Sequence, residues 1–434
     1  GHVESELLSR NEPFGDPAEL LVRPDHYLVR MLVSAGVPHG ALGVGPAGEV
    51  ESDPRKIWRT FCENWKLYRG TPTRYWMEDV LANRFGVSVA PSAETADTIY
   101  DEISAALATD AFRPLALLDT FDIEAIATTD AASSTLSFHQ DLAARGYGQR
   151  VLPTFRPDAL VHLDREDWRE LLAELSERSG ITIGGYADYI AALEQRRAYF
   201  KAHGARSSDH GHLTAASQPL TTAEASAIFD AARLGEITTA QADAFSAHML
   251  HEMARMATED GLTMQVHVGV LRNHNPETLA LRGADVGYDI PVATEYTRSL
   301  RPILNDFGHH PNLRLIVFTV DETTFSRELA PLAGVYPAMK LGAPWWFLDT
   351  PDVMRRFREA ATDTAGFYNT TGFVDDTRAF FSIPARHDLA RRVDAGHLAR
   401  LVAEHRLDLS EAIETAADLA YHLPKQAYPE VAGV

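Results

Sequence analysis

Several groups of residues have types and spacings that could do chemistry. Asp375, Asp376 and Arg378 follow a short apolar run, Gly372 to Val374. A carboxylate there could ligate a metal or act as a base, with Arg378 beside it holding a substrate anion. The plainer alternative is a helix N-cap with a surface ion pair. His26 and Tyr27 stand in Pro24-Asp-His-Tyr27. A tyrosine hydroxyl can carry a proton and a histidine can hold a carboxylate or carbonyl. The alternative is a capped helix start with the tyrosine half buried. Arg156 lies between Thr154 and Asp158, with Pro157 fixing the turn. It could fork onto a carboxylate, or simply pair with Asp158.

His267 belongs to the run Gln265 to Val270. Strand alternation puts Gln265, His267 and Gly269 on one face and Val266, Val268 and Val270 on the other. The valines would pack against helices, and the polar set would face an interior where His267 could touch metal or substrate. A buried structural histidine is the competing reading. Trp345 and Trp346 could form an apolar wall against a sugar face or belong to the core. His210 and His212 have the spacing of a metal pair next to Asp209, but exposed loop histidines are expected there. His2 carries little by itself.

These residues need elements to hold them. From about Asp53 to Phe112 the pattern is helical. Ile57, Trp58, Phe61 and Trp65 share one face, and Tyr75, Trp76, Val80, Leu81 and Phe85 share another. Strand signals are nearly missing from this block. From Phe121 onward, short apolar runs alternate with helix-length amphipathic segments, as in βα units with a parallel sheet. The runs are Ile123 to Ala127, Val151 to Thr154, Thr263 to Val268, Leu313 to Thr319, Tyr336 to Leu341 and Gly372 to Val374, with a weaker one ending at Ala205 and Arg206. Each ends in a polar or aromatic cluster. In a (β/α)8 barrel the active site is built at the carboxyl ends of the strands. Seven such strands fit a barrel whose first strand lies upstream of Gly1. The expected division is a barrel over residues 1–27 and 112–434, with a helical insertion over 28–111. Residues 395–423 read as closing helices.

Composition narrows the function. The chain has 434 residues, 45% apolar and 23% charged, the balance of an ordinary globular protein. Its formal net charge is −21. That field repels phosphate backbones and anionic lipid, which argues against nucleic-acid and membrane-surface partners. An anionic substrate would need a locally basic pocket. The single cysteine, Cys62, excludes an intrachain disulfide framework and a Cys-rich zinc module, and its apolar spacing suggests a buried thiol. No apolar run reaches the roughly 18–20 residues of a membrane-spanning helix. No Gly-x-Gly-x-x-Gly follows a strand, so a nucleotide cofactor is not expected.

Together these segments resemble the uronate (glucuronate) isomerase family, a divergent branch of the metal-dependent amidohydrolase superfamily. The carrying segments run in order over the whole chain. They are residues 24–30, Ala127 to Asp130 with Leu136 to His139, 151–158, 204–211, 263–275, Trp345 to Phe347, 374–380, and Arg386 with His387. The resemblance implies a (β/α)8 barrel with a helical insertion after its first strand. It implies aldose–ketose isomerisation of open-chain hexuronates through a cis-enediol, D-glucuronate to D-fructuronate and D-galacturonate to D-tagaturonate. Asp376 would be a metal-site carboxylate and proton-transfer group, and Tyr27 the second proton-transfer group. His26, Arg156, Arg378 and Trp346 would bind substrate. His2, His267 and Asp376 would hold one divalent metal ion, zinc by family analogy. The family's first strand ends in His-x-His, so His2 would be the second histidine and the first would precede Gly1. His274 stands where a third asparagine is expected between Asn273 and Asn275, which bears on sugar preference.

A cytoplasmic homo-oligomer acting on a small hexuronate is therefore expected. Two other readings compete. One is a hydrolase or decarboxylase of the same superfamily acting on a small acidic substrate. It would usually carry a second metal on a carboxylated lysine or histidine pair, and no lysine ends a middle strand here. The other is an inactive sugar-acid binding protein, which would keep Arg156 and Arg378 without needing Tyr27 or Asp376.

Overall fold

The structure is a computed structural model that describes residues 3–46 and 50–431. His2 lies outside the described residues. The chain divides into two compact units. The first comprises Gly1–Glu124, Val270–Pro291 and Asp375–Ala390; the second comprises Ala125–Gly269, Val292–Val374 and Arg391–Val434.

The first unit is mainly helical, and its helices begin where the sequence places a cap ahead of proline. Asp16 caps Pro17–Leu21, Asp53 caps Pro54–Glu63 and Thr71 caps Pro72–Asp79. Proline at the first helical position loses nothing, because that N–H has no intrahelical partner. Ile57, Trp58, Phe61 and Cys62 are buried on one face of Pro54–Glu63. Trp58 Nε1–H donates to the Ala96 carbonyl at 2.9 Å, tying this helix to Ala96–Leu107. The segment around Phe380 and Phe381 is held by rings. Phe381 stacks on Phe85 with centroids 5.2 Å apart and meets Phe14 edge-on at 5.3 Å.

Ten strands occur among the described residues: β1 Ile126–Ala127, β2 Asp130–Ala131, β3 Val151–Leu152, β4 Thr154–Arg156, β5 Ser207–His212, β6 Thr263–Val268, β7 Val270–Leu271, β8 Ile290–Pro291, β9 Leu315–Thr319 and β10 Met339–Leu341. β7 and β8 form a small antiparallel pair in the first unit. In the second unit β2, β4, β5, β6, β9 and β10 form a parallel sheet in that order, and β1 pairs parallel with β3. Pro153, which has no N–H to give, separates β3 from β4. The sheet order follows the chain order with no reversal, and helices such as Tyr186–Ala202 and Thr239–Asp260 join successive strands. This is a parallel α/β fold.

The predicted alternation in β6 is present. Met264, Val266 and Val268 are buried while Gln265 and His267 are half-buried. Burying each apolar side chain contributes about 1.5–3 kcal/mol. β9 is buried along its whole length, as expected for a strand covered on both faces.

Two strand expectations need correction. The run ending at Ala205 and Arg206 is not the strand; β5 begins at Ser207 and is built from polar residues. Gly372 to Val374 is not a strand either. Only a single bridge, Leu341 with Thr370, occurs there. Gly372 turns left-handed at φ 68°, and the Phe373 N–H then donates to the Leu419 carbonyl, which diverts the backbone from the sheet. No helix among the described residues is long and apolar enough to cross a membrane.

Candidate functional site

In the second unit, polar side chains converge at the carboxyl ends of β4, β5 and β6. Arg156 Nε–H donates to Asp158 Oδ2 at 2.7 Å, and its Nη1 lies 3.6 Å from Asp209 Oδ2. His267 Nε2–H donates to Asp209 Oδ2 at 3.0 Å. The Asp158 carboxylate also accepts the Gly211 N–H, 3.1 Å from each oxygen. Gly211 pairs in register with His267 across β5 and β6. A Cβ there would lie 2.7 Å from Arg156 Nη2, 2.7 Å from His267 Cε1 and 2.9 Å from Asp158 Oδ2. Only glycine lets these three groups close together. Trp345 meets the His267 ring edge-on, with centroids 5.0 Å apart.

Charge follows from this geometry. Burial pushes the Asp209 carboxyl up, but His267 and Arg156 outweigh it and hold the group below the ordinary carboxylate range. Burial likewise opposes ionisation of Asp158, and Arg156 overcomes it. Asp209 therefore fixes the His267 ring, and the Arg156 guanidinium lies between two carboxylates. The sequence left Arg156 as a substrate anchor or as a partner of Asp158; the ion pair is present.

His210 and His212 are not exposed loop histidines. Both lie on β5, His210 buried and His212 half-buried. His210 Nε2 is 3.0 Å from Ser208 Oγ, and His212 Nδ1 is 2.9 Å from Ser246 Oγ. Burial lowers His210 to about 3 and His212 to about 4, so both rings are neutral at pH 7. Donor atoms of Asp158, His210 and His212 lie within 4.8 Å of one another, a candidate metal triad. Two neutral imidazoles and a carboxylate suit a divalent transition metal such as zinc. Asp158, just after β4, was read only as a partner of Arg156, and His210 and His212 beside Asp209 were set aside as loop histidines, because Ser207-Ser-Asp-His-Gly-His212 has no apolar run to announce a strand.

In the first unit, Asp25 caps the helix His26–Ser34 by accepting the Tyr27 and Leu28 N–H groups. The cap fixes His26 and Tyr27 on the first turn. Their rings stack with centroids 4.5 Å apart, and Trp76 meets Tyr27 edge-on at 5.9 Å. Burial, and then Arg378 and Arg30, lower His26 to about 4, which leaves a neutral imidazole. Arg378 is partly exposed, and its Nη2 donates to Asp285 at 3.0 Å. Arg386 pairs with buried Asp375 at 2.5 Å and covers the Trp76 ring at 4.4 Å. Asp376 is half-buried. Trp346 is buried in the second unit at φ 54°, against Trp345 and Phe347. The structure thus brings His26, Tyr27 and Arg378 together in one unit, and Arg156 and His267 together in the other.

A family model described as glucuronate isomerase matches residues 1–428. The chain belongs to the glucuronate isomerase family. It is 52% identical to the uronate isomerase of Sphingopyxis alaskensis, over 99% of this chain and 91% of that one. The crystal structure of glucuronate isomerase from Caulobacter crescentus superposes with a TM-score of 0.96 at 50% identity, covering 99% of this chain and 90% of that one. Uronate isomerase from Thermotoga maritima gives a TM-score of 0.93 at 27% identity, covering 99% and 93%. Family membership agrees with the resemblance read from the ordered motifs.

Proposed function

We infer that the chain is a uronate isomerase that interconverts D-glucuronate with D-fructuronate and D-galacturonate with D-tagaturonate. The observation that carries this reading is 52% identity to a uronate isomerase along nearly the whole chain. The chemistry needs a proton taken from C2 and returned to C1, an electrophile at the oxygens and a clamp on the distant carboxylate. Tyr27 and Asp376 are the proposed proton-transfer groups. Arg378 and Arg156 are proposed to bind the carboxylate and hydroxyls, which places local positive charge on a chain of net charge −21. His26, neutral beside Arg378, is proposed to donate to a substrate oxygen. Trp346 is proposed as an apolar wall.

The proposed fold is the (β/α)8 barrel of residues 1–27 and 112–434 with the insertion 28–111. Its support is the unreversed order of the parallel strands. A single divalent ion, proposed to be zinc, would polarise the substrate oxygens as a Lewis acid when bound. The donor chemistry of Asp158, His210 and His212 fits such an ion. His267, with its ring held by Asp209, is a further proposed ligand. The reading is tested by incubating the protein with D-glucuronate and, separately, D-galacturonate, and following ketose formation by proton NMR. Conversion of either uronate is expected. No ketose from either, with metal bound and the fold intact, would overturn it.

A further inference from the structure

The excursion between β7 and β8 carries a carboxylate to the group proposed to clamp the substrate. Within it, Gly283, Asp285 and Gly287 all have left-handed φ, at 84°, 62° and 95°. Asp285 is a non-glycine residue in that region, a conformation sparsely populated for L-residues. Gly287 packs against Arg30, where a Cβ would come within 3.0 Å of the Arg30 Cβ. The turn is therefore pinned on the helix that starts at His26, and it presents the Asp285 carboxylate to Arg378 at 3.0 Å. Arg272 pairs with Asp289 at 2.9 Å, and Asp289 also accepts the Asn273 N–H at 2.7 Å, which closes the base of the excursion. Each end of the Asp285–Arg378 pair remains partly exposed, 46% and 37%.

We propose that Asp285 is a built-in substitute for the substrate carboxylate. It occupies the Arg378 guanidinium in the free enzyme and is displaced when a uronate binds. The inference rests on the reading of Arg378 as the carboxylate clamp. A short carboxylate on a turn, held by a single contact to a partly exposed arginine, presents the same charged group that a uronate would offer that guanidinium. The pair also sets selectivity. A neutral aldose has no carboxylate to offer Arg378 and leaves the Asp285 contact in place, whereas a uronate replaces one charged contact by another. Asp285 is thus a positioning residue that acts through Arg378. Burial raises its carboxyl, while Arg378, and then Arg272, outweigh burial and hold it below the ordinary carboxylate range.

Asp285→Asn tests this, because asparagine tolerates left-handed φ and removes only the charge. An exposed ion pair is weak, so the KM for D-glucuronate should fall by about two- to fivefold, with the effect on KM rather than kcat. In an Arg378→Gln background the same substitution should leave KM where Arg378→Gln alone puts it. Asp285→Gly, which suits the same φ, repeats the test if the asparagine variant folds poorly. Unchanged or raised KM in the folded single variants, while Arg378→Gln raises KM strongly, would overturn the substitution idea alone. If Arg378→Gln leaves the uronate KM unchanged, the clamp reading fails and takes this proposal with it.

Discussion

Gly211→Ala places one methyl group among Arg156, His267 and Asp158. The φ of Gly211 is not left-handed, so alanine fits the backbone and only the neighbours must respond. Ordinary contact begins near 3.4 Å, and the new Cβ would meet Arg156 Nη2 and His267 Cε1 at 2.7 Å, so each must retreat by about 0.7 Å. Arg156 is long but is held by Asp158 at 2.7 Å. The His267 ring cannot retreat without lengthening its 3.0 Å bond to Asp209. Overpacking of this kind costs about 1–3 kcal/mol. Misplacement approaching 1 Å in a positioned site costs up to about 100-fold in rate. The expected result is a fall in kcat/KM for D-glucuronate of about 10- to 100-fold, with the melting temperature lowered by only a few degrees. Steady-state kinetics and a thermal melt on the same preparation decide it. A folded variant within about twofold of the parent kcat/KM would refute the claim that this cluster serves the reaction.

Asp376→Asn should lower turnover by about 100-fold or more while the circular dichroism spectrum stays that of the parent, read by initial rates at saturating uronate. Gly396→Ala, on an exposed helical position with open space around the added Cβ, should stabilise the protein by about 0.5–1 kcal/mol in urea titration, through helix propensity alone. Asp394→Asn breaks a buried bidentate pair with Arg358, at 2.6 and 3.0 Å, and should cost about 3–5 kcal/mol by the same titration. His139 is buried against Thr128 Oγ1 at 2.8 Å, and burial lowers it from 6.5 to about 4. The unfolded chain therefore binds the extra proton first, and stability is lost as pH falls from 6.5 toward 4. In that window His139→Gln should flatten urea-derived stability against pH by about 1.4 kcal/mol per unit.

The parts of the fold legible in the sequence were those where burial wrote a pattern. β6 alternates because one face is buried and the other only half-buried, and β9 is continuously apolar because both faces are covered. The helical block beginning at Asp53 was legible from the spacing of Ile57, Trp58 and Phe61 on one face and from its near lack of strand signals. β5 was not legible, because its residues are polar and bond to distant groups, Asp209 to His267 and His212 to Ser246, rather than forming an apolar run. Misplacing it turned His210 and His212, strand residues flanking Asp209 and Gly211, into expected loop histidines. Gly372 misled in the opposite direction: the apolar residues after it looked like a strand, yet the left-handed turn and the Leu419 carbonyl take the backbone elsewhere. Asp285 carried no signal of its own, since its partner Arg378 is 93 residues away in sequence.

The central claim is tested most directly by incubating the protein with D-glucuronate in D2O and following the sugar protons by NMR. The account predicts conversion to D-fructuronate with deuterium entering at C1, as proton return to an enediol in exchange with solvent requires. A protein that is folded and metal-loaded, yet gives neither ketose nor exchange at C2 of either hexuronate, would contradict it.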